Sequence, residues 1–354
     1  MVMIVKVGIA GLGRSGWGIH ADTLEKCPSM YRVAAVFDPI EQRRTEAVQR
    51  FGCKAHLDFD SLMRDRDIEL VAIATPSHLH AKQSIEALRA GKMVVCEKPM
   101  ATTLAETDAM IETARETGRL LTIFQNRRFD QDFLKVREVI QSGKLGRIVL
   151  IKMSSHSFSR RWDWQTLQKF GGGELNNNGS HSIDQALQLL GEKEPEVFCD
   201  LQRTLTLGDS EDHVKIVLKA PNSPAIDIEV THACAYPQNR WIVMGTKGGL
   251  TGNASSLEWK YFNPDDLPPR QAETEPTPDR SYNWEGIPWK EETWTATEDY
   301  DAGALTFYHE LYRTLRQGAP LSVTPESVRK VMWVIEMCRE CRNCIGASGQ
   351  KRRV

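Results

Sequence analysis

The stretch from Val5 to Gly18 constrains this chain more than any other. Val5, Val7 and Ile9 are β-branched and run straight into Gly11, the pattern of a strand buried in a parallel sheet. Gly11, Gly13 and Gly16 follow in G-x-G-x-x-G spacing. Such glycines allow a tight turn, close approach of backbone to a pyrophosphate, and close packing of helix on strand. The helix that begins there offers free N–H groups and a positive dipole end, both suited to a diphosphate. A second apolar strand, 32–37, ends at Asp38, about twenty residues further on, where a dinucleotide fold carries the carboxylate for the adenosine ribose hydroxyls. Together these features predict a Rossmann unit binding NAD. Without that context, three glycines in a turn would predict only a turn.

Strand and helix signals keep alternating after Asp38. Helix is expected over 41–51, with Ala47 and Val48 inward, and over 60–65. A buried strand, 70–74, ends at Thr75-Pro76. Helix 78–90 closes at Gly91, strand 93–96 meets Glu97-Lys98-Pro99, helix 104–117 ends at Gly118, and strand 120–124 follows. Repeated βα units of this kind define a doubly wound parallel sheet. Past Gln125 the pattern changes. After a helix at 129–142, strands at 148–155, 197–207, 214–219, 226–231, 240–244 and 257–262 come mostly without helices between them. That signature predicts an α+β domain with a large, mostly antiparallel open sheet. The exceptions are a glycine-rich segment and a helix at 178–190. Residues 264–280 read as a surface excursion, and helices close the chain at 302–316 and 325–344. The expected division is 1–124 for the nucleotide domain, 125–324 for a substrate and oligomerisation domain, and 325–354 for a helix packing back on the first domain.

A net charge of −2 on 354 residues gives no electrostatic reason to expect nucleic acid or an anionic membrane as partner. No apolar run approaches the roughly 18 residues of a membrane-spanning helix. The apolar residues at the start read as the first strand and not as a signal sequence. Eight scattered cysteines fit free thiols in a reducing cytoplasm.

Five motifs occur in order: Gly11-Leu12-Gly13-Arg14-Ser15-Gly16, Thr75-Pro76-Ser77-His78-Leu79-His80, Glu97-Lys98-Pro99, Gln125-Asn126-Arg127-Arg128-Phe129, and Gly171-Gly172-Gly173-Glu174-Leu175 through Gly179-Ser180-His181-Ser182-Ile183-Asp184. Together they resemble the family named for glucose-fructose oxidoreductase, inositol dehydrogenase and rhizopine catabolism proteins. The resemblance implies a nicotinamide-dependent oxidoreductase acting on a secondary alcohol of a sugar, polyol or sugar derivative. It implies cofactor contacts from the glycine turn with Arg14 and Ser15, and from Asp38, Thr75, Pro76, His80, Glu97, Lys98 and Asn126. On the substrate side it implies Lys98, Arg127, Trp162, Trp164, Asn177 and His181. It further implies a homo-oligomer, dimer or tetramer, paired through the open sheet. Two other readings fit the same motifs: a redox-neutral hydrolase or lyase working by transient oxidation, and a non-catalytic NAD-binding sensor.

Some roles have reasons in the residues themselves. Lys98 sits at a strand's carboxyl end, the rim where ligands bind in such sheets, and the proline after it forces extended backbone. The resemblance gives it the reacting hydroxyl. An imidazole titrates near neutrality, so His181 can take a hydroxyl proton. Asn177 lies four residues earlier, which on an α-helix puts it on the same face, so it is expected to orient the ring. Many relatives carry aspartate there, and asparagine brings no charge to stabilise an imidazolium. Asp184 reads either as a partner behind the imidazole or as a helix-surface acid. Arg43 and Arg44 are expected to point away from Asp38, leaving NAD preferred over NADP.

In the segment Arg160 to Gln165, Trp162 and Trp164 are either covers for the apolar faces of a sugar or ordinary packing residues. Trp284, Trp289 and Trp294 either cover a sheet face or meet another subunit. Cys338, Cys341 and Cys344 are spaced C-x-x-C-x-x-C on an expected helix. Thiols three apart drift around such a helix, with no histidine near to complete a zinc set, so no metal is expected.

Overall fold

The computed structural model describes residues 4–297 and 302–349, with side chains through residue 340. Six parallel strands form the first sheet: β1 (Val5–Ala10), β2 (Tyr31–Phe37), β3 (Lys54–His56), β4 (Leu70–Ile73), β5 (Met93–Cys96) and β6 (Leu121–Ile123). Their order is β3-β2-β1-β4-β5-β6. The reversal of strand order falls between β1 and β4, and ligands bind beyond the carboxyl ends at such a point. The central strands are apolar on both faces because helices cover both. Val5, Val7, Ile9 and all of β4 are buried without residual exposure. A wide π-turn, Gly16–Ala21, leads into α1 (Asp22–Glu25), and α2 (Glu41–Phe51), α3 (Phe59–Arg64), α4 (His80–Arg89) and α5 (Leu104–Thr117) complete the layers. In α5 the Thr103 hydroxyl and the Glu106 carboxylate cap the first turn reciprocally, and Gly118 ends it in the left-handed conformation. Those two signals explain why its limits are legible in the sequence. Within α2 only Ala47 is buried, while Val48 is 39 % exposed, contrary to the inward position expected for it.

The second sheet has eight strands: β7 (Ile148–His156), β8 (Glu196–Gln202), β9 (His213–Lys219), β10 (Ala225–Thr231), β11 (Trp241–Gly245), β12 (Gly248–Gly252), β13 (Ser256–Tyr261) and β14 (Lys290–Thr295). They run β14-β13-β12-β11-β7-β10-β9-β8. Every pairing is antiparallel except β7 with β10 at the centre. Two strands have no clear sequence signal: β12 is glycine-rich and poor in strand formers, and β14 is mostly polar. β8 stops at Gln202 instead of continuing to Leu207. The buried Asp212 carboxylate takes the N–H groups of Thr204, Leu205 and Thr206 at 2.6, 2.8 and 2.7 Å, turning that stretch out of the ladder.

Helices α6 (Gln131–Gln141) and α7 (Ser180–Leu190) cover the inner face of this sheet. The fully buried Trp241 fastens α6 by donating its indole N–H to Asp132 at 2.7 Å. The chain then returns to the first sheet. In α8 (Ala302–Gln317), Tyr308 accepts the Tyr31 hydroxyl on its carbonyl, and Arg316 pairs with Glu69. Helix α9 (Pro325–Gly349) contacts α5 and β6 on one side and α7 and β8 on the other. Residues 267–289 carry no regular structure, and Trp284 stands 88 % exposed there. Trp289 and Trp294 lie at β14. Cys338 is buried in α9, whereas the side chains of Cys341 and Cys344 lie outside the described residues.

Candidate active site

The glycine turn has the shape of a phosphate cradle. Gly11 has φ +90°, a conformation that side chains resist, and a Cβ there would stand 2.6 Å from the Ala74 carbonyl. A Cβ on Gly16 would overlap the carbonyl oxygen of Gly11, while Gly13 faces open space with nothing within 4 Å. Closed at two positions and open at the middle one, the turn fits a dinucleotide diphosphate resting on backbone. Arg14 is exposed on the turn and Ser15 is half-buried at the head of the π-turn.

Asp38 lies beside this turn, buried. One carboxylate oxygen accepts the Leu12 N–H at 2.7 Å and the other that of Ile40 at 2.9 Å. Arg43 and Arg44 do not point away. Arg43 reaches the Asp38 carboxylate at 3.3 Å, and Arg44 donates to its carbonyl at 2.7 Å. The buried carboxylate draws Arg43 back along the first turn of α2, and the carbonyls of Asp38 and Pro39 hold Arg44 there.

At the end of β4, Thr75 donates its hydroxyl to Gln83, and Thr75 and Pro76 are half-buried. His80 is 1 % exposed and sits between two carbonyls, those of Pro99 at 2.7 Å and Thr75 at 2.8 Å. It braces the ends of β4 and β5 against each other. Glu97 also faces inward. One of its oxygens accepts the Lys98 N–H, and the other lies 3.2 Å from His20, whose second nitrogen meets the Tyr308 hydroxyl at 2.6 Å. Burial opposes ionisation of Glu97, but His20 and the neighbouring lysine outweigh it and hold the carboxyl low.

Lys98 follows and enters a cleft between the domains, lined also by Ser77, Trp164, Gln165, Gly172 and Asn177. Its ammonium donates to both the carbonyl and the side-chain oxygen of Asn177, each at 3.0 Å, leaving one N–H toward the cleft. Burial brings its pKa down to about 8, with Glu97 working against that and Arg127 adding to it.

His181 is 6 % exposed in the first turn of α7. Its Nδ1 lies 2.9 Å from Oε1 of Gln125. An amide oxygen only accepts, so Nδ1 carries the proton and Nε2 keeps its lone pair. Burial, then the charges of Lys98, Arg127 and Arg240, push its pKa well below the ordinary value, so the ring is neutral near pH 7. Asn177 does not orient this ring; its side chain is taken by Lys98 and Glu174. The reason is local. Residues Leu175–Gly179 form a π-turn in which the Gly179 N–H reaches back five residues to Glu174. The widened turn inserts a residue, so the four-residue spacing no longer stacks 177 over 181.

Asp184 is neither a partner of His181 nor a surface acid. It is buried and bidentate to Arg128, at 2.7 and 2.6 Å. Asn126 and Arg127 are half-buried in the turn after β6, where the charge of Arg127 bears on both Lys98 and His181. Trp164 lines the cleft, but Trp162 is 76 % exposed outside it. Sequence reasoning gave no role to Gln125 or Glu174, although both lie inside recognised motifs. His20 and Tyr308 carried no signal, since 288 positions separate them. Among the described residues no cluster of side chains could hold a metal ion, and no helix is long and apolar enough to cross a membrane.

A classic-order doubly wound sheet, a glycine cradle, and a second α+β domain closing on the rim define an NAD(P)-binding Rossmann protein of two domains. The chain belongs to the Gfo/Idh/MocA oxidoreductase family: residues 5–125 match its NAD-binding Rossmann fold and residues 133–251 its C-terminal domain. An uncharacterized oxidoreductase of Schizosaccharomyces pombe is 32 % identical over 70 % of this chain and 69 % of its own. The scyllo-inositol 2-dehydrogenase (NADP(+)) IolW of Bacillus subtilis is 29 % identical over 95 % of this chain and 93 % of its own. Among solved structures, an NAD-binding protein from Listeria innocua superposes with TM-score 0.79 at 25 % identity, covering 97 % of this chain and 96 % of that one.

Proposed function

We propose that this protein oxidises a secondary alcohol of a sugar, polyol or sugar derivative, with inositol-type rings as the first substrates to try. The observation that carries this reading is the pairing of chemical states between Lys98, which lines the cleft, and His181, whose buried ring feels the lysine's charge. Lys98 is a cation with one N–H left toward the cleft, and His181 is a neutral imidazole with Nδ1 occupied by Gln125. A hydroxyl entering between them would accept a hydrogen bond from Lys98 Nζ and give its proton to His181 Nε2. The Lys98 charge stabilises the developing alkoxide, as electrostatic groups aimed at a charge in formation do. Gln125 fixes the ring so that Nε2 is the basic atom. When bound along the glycine turn, the nicotinamide dinucleotide supplies the hydride acceptor. Gly11, Gly13, Gly16, Asp38, Thr75 and Pro76 would hold it, and Trp164 would cover the sugar.

NAD is the proposed cofactor, because a carboxylate beside the ribose disfavours a 2′-phosphate. Arg43 on that carboxylate favours NADP as the second reading, and a relative is named for NADP(+). We further propose a cytoplasmic homo-oligomer. The outer face of the second sheet exposes Phe198 (58 %) and Met244 (44 %). The test is a panel of inositols, sugars, polyols and glycosides offered with each cofactor, following reduced cofactor and product mass together. Net reduction matched by a ketone product supports the proposal. Product without net reduction indicates a redox-neutral hydrolase or lyase, and binding without turnover indicates a sensor.

A further inference from the structure

Directly after the triple glycine stands Glu174, an acid that the reading above leaves without a task. It is 4 % exposed, and four polar groups converge on its carboxylate. Asn178 donates its amide N–H to Oε2 at 2.7 Å, and Asn177 donates to Oε1 at 3.1 Å. His232 Nε2 lies 3.0 Å from Oε1, with Arg161 at 3.5 Å. On its far side the same Asn177 side chain accepts from Lys98.

A primary amide has one accepting oxygen and one donating NH2 group. A carboxylate can only accept, so Glu174 takes the NH2 end of Asn177 and turns the oxygen toward the ammonium. We propose that Glu174 is a positioning residue for Lys98: it fixes the Asn177 amide and supplies, one side chain removed, the negative charge that Asn177 itself lacks. The proposal deepens the reading of Lys98 as the hydroxyl-polarising cation and rests on that reading for its catalytic consequence.

The geometry also accounts for the amide at position 177. An aspartate there would put a carboxylate oxygen about 3 Å from Glu174, and two acids that close do not both ionise. In this chain the carboxylate stands at 174, and the amide of Asn177 links it to Lys98. The other charged or titratable groups around Lys98 are Glu97 beside it, Arg14 from the glycine turn, Arg127 from the turn after β6, and His181 from α7.

The test reads Lys98 itself in the full-length protein. Biosynthetic labelling with [13C,15N]lysine gives an NMR signal for each lysine side chain, and the Lys98 peak is the one missing from Lys98→Arg. Glu174→Gln should move the Lys98 titration down by roughly half a unit to one unit, since an opposing charge is lost at one remove. Glu174→Asp, which keeps the charge, should bring it back toward the wild-type position. The exchanged pair Glu174→Gln with Asn177→Asp should move it above wild type, because the carboxylate then touches the ammonium directly. A Lys98 titration in Glu174→Gln that coincides with wild type overturns the proposal. Should that variant not fold, the exchanged pair decides, and no upward shift there overturns it equally. Turnover on alcohols is scored separately. A Lys98 shift in a protein that oxidises no alcohol supports the role of Glu174 and defeats only the oxidoreductase reading.

Discussion

Oε1 of Gln125 lies 2.9 Å from Nδ1 of His181, joining the end of the first domain to the first turn of α7. This contact sets the tautomer of the His181 ring. His181→Ala should lose roughly 10²- to 10⁴-fold in kcat, the usual contribution of a general base. Gln125→Glu would place a carboxylate against the ring and raise its pKa. The acid limb of the kcat/KM profile should therefore move to higher pH in that variant. An acid limb that stays in place would separate Gln125 from the base.

The basic limb should belong to Lys98. Its pKa of about 8 means the ammonium is intact below that pH and lost above it. If Lys98 polarises the hydroxyl as a cation, kcat/KM falls as pH rises through 8. Should activity instead rise through 8, the neutral amine is the working form and Lys98 is the base. Lys98→Ala should lower kcat far more than it weakens NAD binding measured by fluorescence titration.

Cofactor choice should turn on Asp38 and Arg43. Asp38→Ala should reduce the kcat/KM ratio of NAD to NADP. It should also cost about 1–3 kcal/mol of stability, since the buried N–H of Leu12 loses its acceptor. Arg43→Ala should raise the same ratio, because it removes the cation nearest to a 2′-phosphate. Equal turnover with both cofactors in wild type and both variants would refute this assignment.

The Asp184–Arg128 pair should prove structural. Arg128 also bonds Ser327 and the Ser322 carbonyl, so it ties α7 to the start of α9. Asp184→Asn should destabilise by about 3–5 kcal/mol by leaving a buried guanidinium without its counter-charge. The double replacement Asp184→Leu with Arg128→Met should lose much less. Urea denaturation midpoints of the wild type and the two variants provide the check.

The outer face of the second sheet should mediate self-association. Phe198 pairs across the ladder with Val217, and Met244 with Leu150, so both lie on the face opposite buried Ile216 and Ile151. Phe198→Asp with Met244→Asp should shift light-scattering mass toward the monomer without changing the far-UV spectrum. A wild-type monomer at working concentration would dispose of the idea.

Locally encoded features were read from the sequence alone. Burial on both faces of β1 and β4 follows from unbroken apolar runs, the glycine turn from residues that tolerate its backbone, and the limits of α5 from its caps. Each depends on neighbours within a turn or two, where periodicity and propensity act. The candidate residues Lys98 and His181 were legible because each sits inside a short motif. Their partners were not. The π-turn at Leu175–Gly179 breaks the helical spacing that would stack Asn177 on His181, and only the packed chain reveals it. The meetings of Gln125 with His181, Glu97 with His20, and Asp184 with Arg128 join residues 56, 77 and 56 positions apart. No periodicity reports a contact at that separation. Burial decides them, because a charged or polar side chain withdrawn from water must find its counterpart among whatever the topology brings near.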